Sequence, residues 1–192
     1  MVLQHINVKL LLDHSGEIDL EPLVPVFHAW IQEQGQDALL LDVADYRHVH
    51  AGPGVILIGL EANYSVDNSE NRPGVRYNRK AAFDGSNQDR LKQAAAAALK
   101  ACRRLESDPR LNSKFRFNGR EIEISINDRL LAPNTAQTRD AIQPELSPFL
   151  AGLFSGTGFD LSYDESPRNL FSVSVKSHGT FSAEALLENL SS

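Results

Sequence analysis

The feature that most constrains this chain is the alternation of apolar and polar residues in several short segments. A period of two matches the pleat of a β-strand, in which successive side chains point to opposite faces. In the first such segment, Ile6, Val8, Leu10 and Leu12 alternate with polar residues and predict a half-buried strand. The same reasoning predicts strands at residues 55–66, 75–79, 115–117, 120–126, 159–163 and 171–175, and the apolar run at 39–43 predicts a more deeply buried strand. We expect these strands to share one core.

The dipeptide Asn118-Gly119 gives the most specific local prediction. Both residue types tolerate the positive φ angles that a two-residue type I′ hairpin turn requires. A turn there pairs Arg116 with Glu121 and Lys114 with Glu123 as opposite charges across two strands. It also places four apolar side chains on one face, namely Phe115, Ile122, Ile124 and Ile126. The sequence therefore predicts a β-hairpin centred on this dipeptide.

Segments with helical spacing of apolar residues separate the strands. Ser86 and Asp89 have the spacing of a capping box and predict a helix that runs to about Glu106. Apolar residues between 20 and 31, between 142 and 154, and between 183 and 190 predict further helices. Pro144 and Pro148 predict that the third of these four helices is two short pieces or starts late, capped by Thr138 or Ser147.

The order of these elements predicts the fold class. Consecutive strands joined by short turns pair antiparallel, which excludes a doubly wound nucleotide-binding sheet. We expect an α+β fold with a mixed, largely antiparallel sheet and two to three helices packed mainly on one face. Residues 1–178 are expected to form a single domain, followed by a C-terminal amphipathic tail at 179–192.

Composition excludes several classes of protein. The net charge of −6 disfavours binding to nucleic acid and to anionic membranes. No apolar run approaches the roughly 20 residues that cross a bilayer, and the N-terminal residues do not resemble a signal peptide. The single cysteine, Cys102, excludes an internal disulfide framework, and its helical position predicts a buried, inert thiol. These features favour a soluble cytoplasmic protein with no cofactor.

Histidines and arginines supply the candidate ligand sites. His48 and His50 point the same way if their segment is extended, as two ligands of a divalent metal ion must, but two ligands do not complete a site. Arg72, Arg76, Arg79 and Lys80 form a basic cluster around one predicted hairpin. In a pleated strand, however, Arg76 shares a face with Lys80 and Arg79 shares the other with Tyr77, so the cluster is divided.

The first hypothesis for function is a non-enzymatic binding or assembly module that forms a homodimer or docks a protein partner. An exposed strand edge and the tail both motivate this hypothesis, since the apolar tail residues need a surface to cover. The expected contact residues of the tail are Phe181, Leu186, Leu187 and Leu190. No contiguous catalytic signature is present, which favours a non-enzymatic role.

The second hypothesis is a small metal- or anion-binding enzyme. Its pocket is expected between the 45–50 segment and the hairpin at 55–80. The expected lining residues are His48, His50, Asn63, Tyr64, Arg76 and Arg79.

Overall fold

A computed structural model describes residues 1–13, 18–33, 39–49, 52–112 and 114–191 of the chain. This part contains eight β-strands and four α-helices. The strands are β1 (Ile6–Leu12), β2 (Leu40–Tyr46), β3 (Gly54–Gly59), β4 (Ala62–Asp67), β5 (Gly74–Arg79), β6 (Phe117–Ile126), β7 (Phe159–Tyr163) and β8 (Phe171–Ser177). The helices are α1 (Leu23–Glu33), α2 (Asn87–Ser107), α3 (Ala136–Leu153) and α4 (Ala183–Ser191).

All eight described strands form one sheet in the order β2-β3-β4-β5-β1-β6-β8-β7. Every neighbouring pair is antiparallel. The predicted α+β class is therefore confirmed, with four helices in the described part where two to three were expected. None of these helices has the length and apolar character needed to cross a membrane.

The helices lie on one face of the sheet and enclose the core with it. Helix α2 contacts β1 and β5 through a buried stripe that includes Leu91, Ala95 and Leu99, and α1 covers β2 and β3. Helix α4 packs on α2 and buries Leu186 completely. The alternating apolar side chains of the central strands point toward these helices, as the period of two predicts. The opposite face of the sheet, here called the open face, is covered by none of the described helices.

Helix α2 begins as the sequence predicts. The Ser86 hydroxyl accepts a hydrogen bond from the Asp89 amide at 3.2 Å, and the Asp89 carboxylate accepts one from the Ser86 amide at 2.8 Å. This reciprocal capping box satisfies two amides that the first helical turn leaves without partners.

The predicted hairpin at Asn118-Gly119 is wrong. Residues 117–126 form one continuous strand, β6, which pairs with β1 on one side and β8 on the other. Gly119 does adopt a positive φ of 77°, and the Asn118 side chain accepts hydrogen bonds from the amides of Arg120 and Glu121. These residues form an irregularity inside a strand. Pairing of β6 with β1 on one side and β8 on the other makes more backbone hydrogen bonds than a local hairpin would. The predicted burial of Phe115, Ile122, Ile124 and Ile126 is confirmed.

Two other boundaries differ from the prediction. The segment predicted as one strand at 55–66 is the tight hairpin β3–β4, which turns at Leu60 and Glu61. The predicted split of the third helix is also wrong, because α3 is continuous through Pro144 and Pro148 and is capped by Thr135. Burial of its apolar face outweighs the two missing amide donors there. The strands predicted at 75–79, 159–163 and 171–175 occur as β5, β7 and β8. The strand predicted at 39–43 is not deeply buried, because β2 lies at the edge of the sheet and leaves Leu41 51% exposed.

Cys102 is fully buried on α2, as its helical position predicts. Burial, with a smaller contribution from Glu106, raises the pKa of its thiol. Because the thiolate is the reactive form, we expect Ellman's reagent to label the native protein at least about 100 times more slowly than an exposed thiol. A Lys92→Cys variant supplies that exposed thiol on the same helix. Equal labelling rates for the two thiols in the native protein would show that Cys102 is accessible.

Candidate functional site

The open face is built from polar side chains that strand register aligns in rows. Residues directly opposite one another on antiparallel strands place their side chains side by side. The first row, here the amide row, crosses five strands and contains Asn63, Asn78, Asn7, Ser125 and Ser172. The second, here the ionic row, contains Ser65, Arg76, Lys9, Glu123 and Ser174. The open face therefore presents amides, hydroxyls and charges in a fixed order.

The centre of this face is more buried than the sequence predicts. Asn7 and Lys9 were expected on the solvent side of a half-buried strand, yet they are only 3% and 2% exposed. The expectation fails because β1 is the fifth strand of the sheet, and longer side chains from neighbouring strands lie over it. A charged residue this deeply buried requires a partner, since an unpaired charge in a protein interior is costly.

Four charged residues form an ion cluster around this position: Lys9, Asp67, Arg76 and Glu123. The Lys9 ammonium donates to Asp67 Oδ1 at 2.6 Å and to Ser69 Oγ at 3.0 Å. Arg76 places Nε 2.9 Å from Asp67 Oδ2 and donates through Nη2 to Glu123 Oε1 at 3.2 Å. Two cations and two carboxylates balance, so the cluster has no net charge with which to attract a free anion.

Asp67 anchors the cluster. Burial tends to raise the pKa of its carboxyl, but the charges of Arg76 and Lys9, with hydrogen bonds from Lys9 and Ser69, outweigh that effect and hold the pKa below its ordinary value. The carboxylate also accepts the Ser69 amide at 3.1 Å, which fixes the turn that follows β4. Asp67 is therefore ionised at neutral pH and joins three elements of the structure.

The amide row contains two buried acceptors with unmet hydrogen-bonding capacity. Within the described residues, Asn7 Oδ1 and Asn63 Oδ1 have no donor. Register places both beside Asn78, one on each neighbouring strand. Buried acceptors of this kind usually have partners, and ordered water is a common one.

Two depressions flank the ion cluster and share Ser69 and Arg76. The larger, of about 520 Å³, extends over β6, β8 and β7 and includes Arg72 and Arg129. The smaller, of about 320 Å³, extends over β3 and β4 to Gly52 and Pro53. Beyond the cluster, Glu121 pairs with Arg72 and Lys176 at 3.3 and 3.2 Å. The result is a shallow polar surface with fixed charges.

The opposite side of the sheet contains a separate cleft of about 480 Å³ between α2 and strands β3–β5. Tyr64, Tyr77 and Arg79 line it from the sheet, and alanines line it from α2. This cleft is more apolar than the open face, because aromatic rings and methyl groups form most of its wall.

The structure divides the residues of the predicted pocket between the two faces. Asn63 and Arg76 line the smaller depression of the open face, whereas Tyr64 and Arg79 line the cleft under α2. The division of the arginine cluster by the pleat is as predicted. His48 lies in an exposed turn after β2, and His50 lies outside the described residues. Among the residues that are described, three or more potential metal ligands are nowhere grouped together.

The apolar residues of the C-terminal tail contact their own chain. Leu186 is fully buried, and the Phe181 ring lies 5.6 Å from that of Phe154. Leu187 and Leu190 are half-buried against the same core. The surface that the tail covers therefore includes α2 of the same chain, and Leu186 is inaccessible in the folded protein.

Comparison with protein-family models, with curated proteins and with solved structures gives no significant match.

Proposed function

We propose that this chain is a non-enzymatic assembly module that forms a homodimer by packing the open faces of two copies together. The observation that carries the proposal is the order of charges across the ionic row. Arg76 lies on β5 and Glu123 lies on β6, on opposite sides of β1. A surface with this order is complementary to itself except at Lys9, which lies on the axis opposite its own copy and is only 2% exposed beneath its neighbours.

The complementarity follows from symmetry. A two-fold axis along β1, in the plane between two facing sheets, places β5 of one copy over β6 of the other, because these strands flank β1 at equal distances. The same rotation preserves the rows. Arg76 of each copy then faces Glu123 of the other, and this contact occurs twice.

The same axis matches further groups. Lys176 on β8 is 61% exposed and lies over β4 of the second copy, where Asp67 is the buried carboxylate of the ion cluster, since both strands lie two positions from β1. Ser172 faces Asn63, so a hydroxyl donor meets an amide oxygen that has no donor within the described residues. Opposite charges and donor–acceptor pairs in register favour specificity and fast association.

The area of overlap is that of a small interface. With the axis along β1, that strand and three on each side overlap, and seven strands spaced by about 4.8 Å, each about five residues long at about 3.4 Å per residue, span roughly 570 Å² of sheet. A standard-size interface buries about 800 Å² per partner.

We also propose a cytoplasmic location, because the one cysteine of the chain is a buried free thiol.

Light scattering coupled to size-exclusion chromatography tests the proposal. We expect a mass near twice 21.2 kDa at about 100 μM protein. Lys176→Glu should weaken the dimer at least about tenfold, because two acidic groups then face each other across the interface. High salt should also weaken it.

Lys92→Glu is the matched control, since it makes the same charge change at an exposed site on α2, on the other side of the sheet. This variant should remain dimeric. A monomeric wild type at 100 μM contradicts the proposal. A dimer that Lys92→Glu disrupts as strongly as Lys176→Glu would place the contact elsewhere.

A further inference from the structure

A fixed turn after β6 carries two exposed leucines. Leu130 and Leu131 are 90% and 56% exposed. The Asp128 carboxylate accepts hydrogen bonds from the amides of both, at 3.1 and 3.0 Å. Ala132 is only 1% exposed and closes the turn by donating its amide to the Asp128 carbonyl at 2.8 Å. Because the backbone that carries the two leucines is already ordered, a contact that buries them costs little further conformational entropy.

A third exposed leucine lies at the same end of the sheet. Leu60 is 60% exposed in the turn between β3 and β4. One residue beyond the amide row, β4 begins at Ala62 and β6 ends at Ile126, so both turns leave the sheet at this end. Within one chain the two turns are about 17 Å apart across the sheet, since three to four strand spacings of about 4.8 Å separate β6 from the β3–β4 turn.

The two-fold axis along β1 brings these turns together across the interface. It leaves each strand end at the same end of the sheet, and it places β4 of the second copy over β8 and β3 over β7. The turn at Leu60 of the second copy then lies between β8 and β7, about 7 Å to the side of β6. Leu130 and Leu131 of one copy and Leu60 of the other therefore become neighbours, once on each side of the axis.

The overlap of the two sheets is smaller and more polar than a stable homodimer needs. It spans roughly 570 Å² per copy, whereas a standard-size interface buries about 800 Å² per partner. The core of a homodimer interface is also more apolar than the rest of the surface, yet the amide and ionic rows contribute amides, hydroxyls and charges. Contacts among the exposed leucines at the end of the sheets add the apolar area that the flat face lacks.

We propose, on the basis of the dimer proposed above, that the turn carrying Leu130 and Leu131 packs against Leu60 of the second copy. The symmetry makes this contact twice, so two apolar contacts close one end of the dimer. Leu41 provides a contrast on the same sheet. It is 51% exposed, but it lies on β2, the one described strand that has no counterpart in the overlap.

Sedimentation equilibrium over a range of protein concentrations measures the dissociation constant of the dimer and tests this contact. The double variant Leu130→Ser, Leu131→Ser should raise that constant at least about tenfold, because it removes apolar area from both contacts. Leu60→Ser should raise it at least about tenfold for the same reason. Since all three side chains are exposed in the single chain, circular dichroism should show that each variant keeps the wild-type fold.

Leu41→Ser is the matched control, the same change at an exposed leucine outside the overlap, and it should leave the dissociation constant unchanged. If the double variant dimerises as strongly as the wild type while Lys176→Glu does not, the leucine contact is overturned and the packing of the open faces stands. Equal weakening by Leu41→Ser and Leu60→Ser also overturns the leucine contact. A monomeric wild type overturns this contact together with the proposed dimer.

Discussion

Asp67→Ala should lower the free energy of unfolding by about 3–5 kcal/mol, because it leaves the buried Lys9 ammonium without its carboxylate. The side chains of Lys9 and Asp67 are 2% and 5% exposed, so water cannot replace the lost partner. Urea denaturation followed by circular dichroism measures the change. Asp160→Ala, at a carboxylate that is 74% exposed, is the matched control and should change stability by less than about 0.5 kcal/mol.

Removing both charges shows how much of the lost stability is due to the unpaired lysine and how much to the loss of the ion pair itself. The double variant Lys9→Met, Asp67→Ala should be more stable than Asp67→Ala alone, since no charge then remains unpaired at this position. A double variant that is less stable than the single one would show that the lysine tolerates the loss of Asp67.

The same carboxylate predicts how stability depends on pH. The pKa of Asp67 in the folded protein is below its value of about 3.9 in an unfolded chain. Its contribution is therefore fully present well above pH 4 and is lost as the pH falls from there through the folded-state pKa. Asp67→Ala should lack this part of the acid transition.

Leu186→Ala should lower the free energy of unfolding by about 2–5 kcal/mol, because it opens a cavity between α4 and the core. Leu187→Ala tests the next position of the same helix, where the side chain is half-buried, and should cost less than half as much. Thermal unfolding of both variants gives the comparison. Equal small losses for the two leucines would mean that α4 is not firmly packed on α2.

Local signals predicted elements better than they predicted pairing. The capping box at Ser86 and Asp89 correctly marks the start of α2, because its two hydrogen bonds involve residues three positions apart. The Asn118-Gly119 signal correctly marks a positive φ at Gly119, yet the turn it usually forms is absent here. Whether such a dipeptide makes a hairpin depends on strands that are distant in the sequence, and β1 and β8 occupy both sides of β6.

The pattern of polar and apolar residues does not predict the ion cluster, again because the cluster depends on strands that are distant in the sequence. Lys9 occupies a position of an alternating strand where a solvent-facing residue is expected. Its burial depends on β1 lying between β5 and β6, which brings Arg76 and Glu123 together over it. A signal was present, however, in the number of charged and amide residues on the polar positions of adjacent strands, including Asn63, Arg76 and Glu123.

The residues predicted to line one pocket lie on both faces of the sheet because of the pleat of the strands. Asn63 and Tyr64 are neighbours in sequence, but successive residues of a strand face opposite sides of the sheet. One belongs to the open face and the other to the cleft under α2. Once the helices are known to cover one face only, the single predicted pocket becomes two surfaces with different chemistry.

A charge-exchange experiment tests the packing of open faces most directly. Glu123→Arg and Arg76→Glu each place like charges opposite one another in a homodimer, whereas a mixed pair restores an Arg–Glu contact at both sites. Circular dichroism first shows that each variant is folded. Native mass spectrometry then measures the oligomeric state of each variant alone and of an equimolar mixture of the two. We expect each variant alone to be monomeric and the mixture to contain a heterodimer. A mixture that stays monomeric would contradict the two-fold contact along β1, and so would a single variant that dimerises as strongly as the wild type.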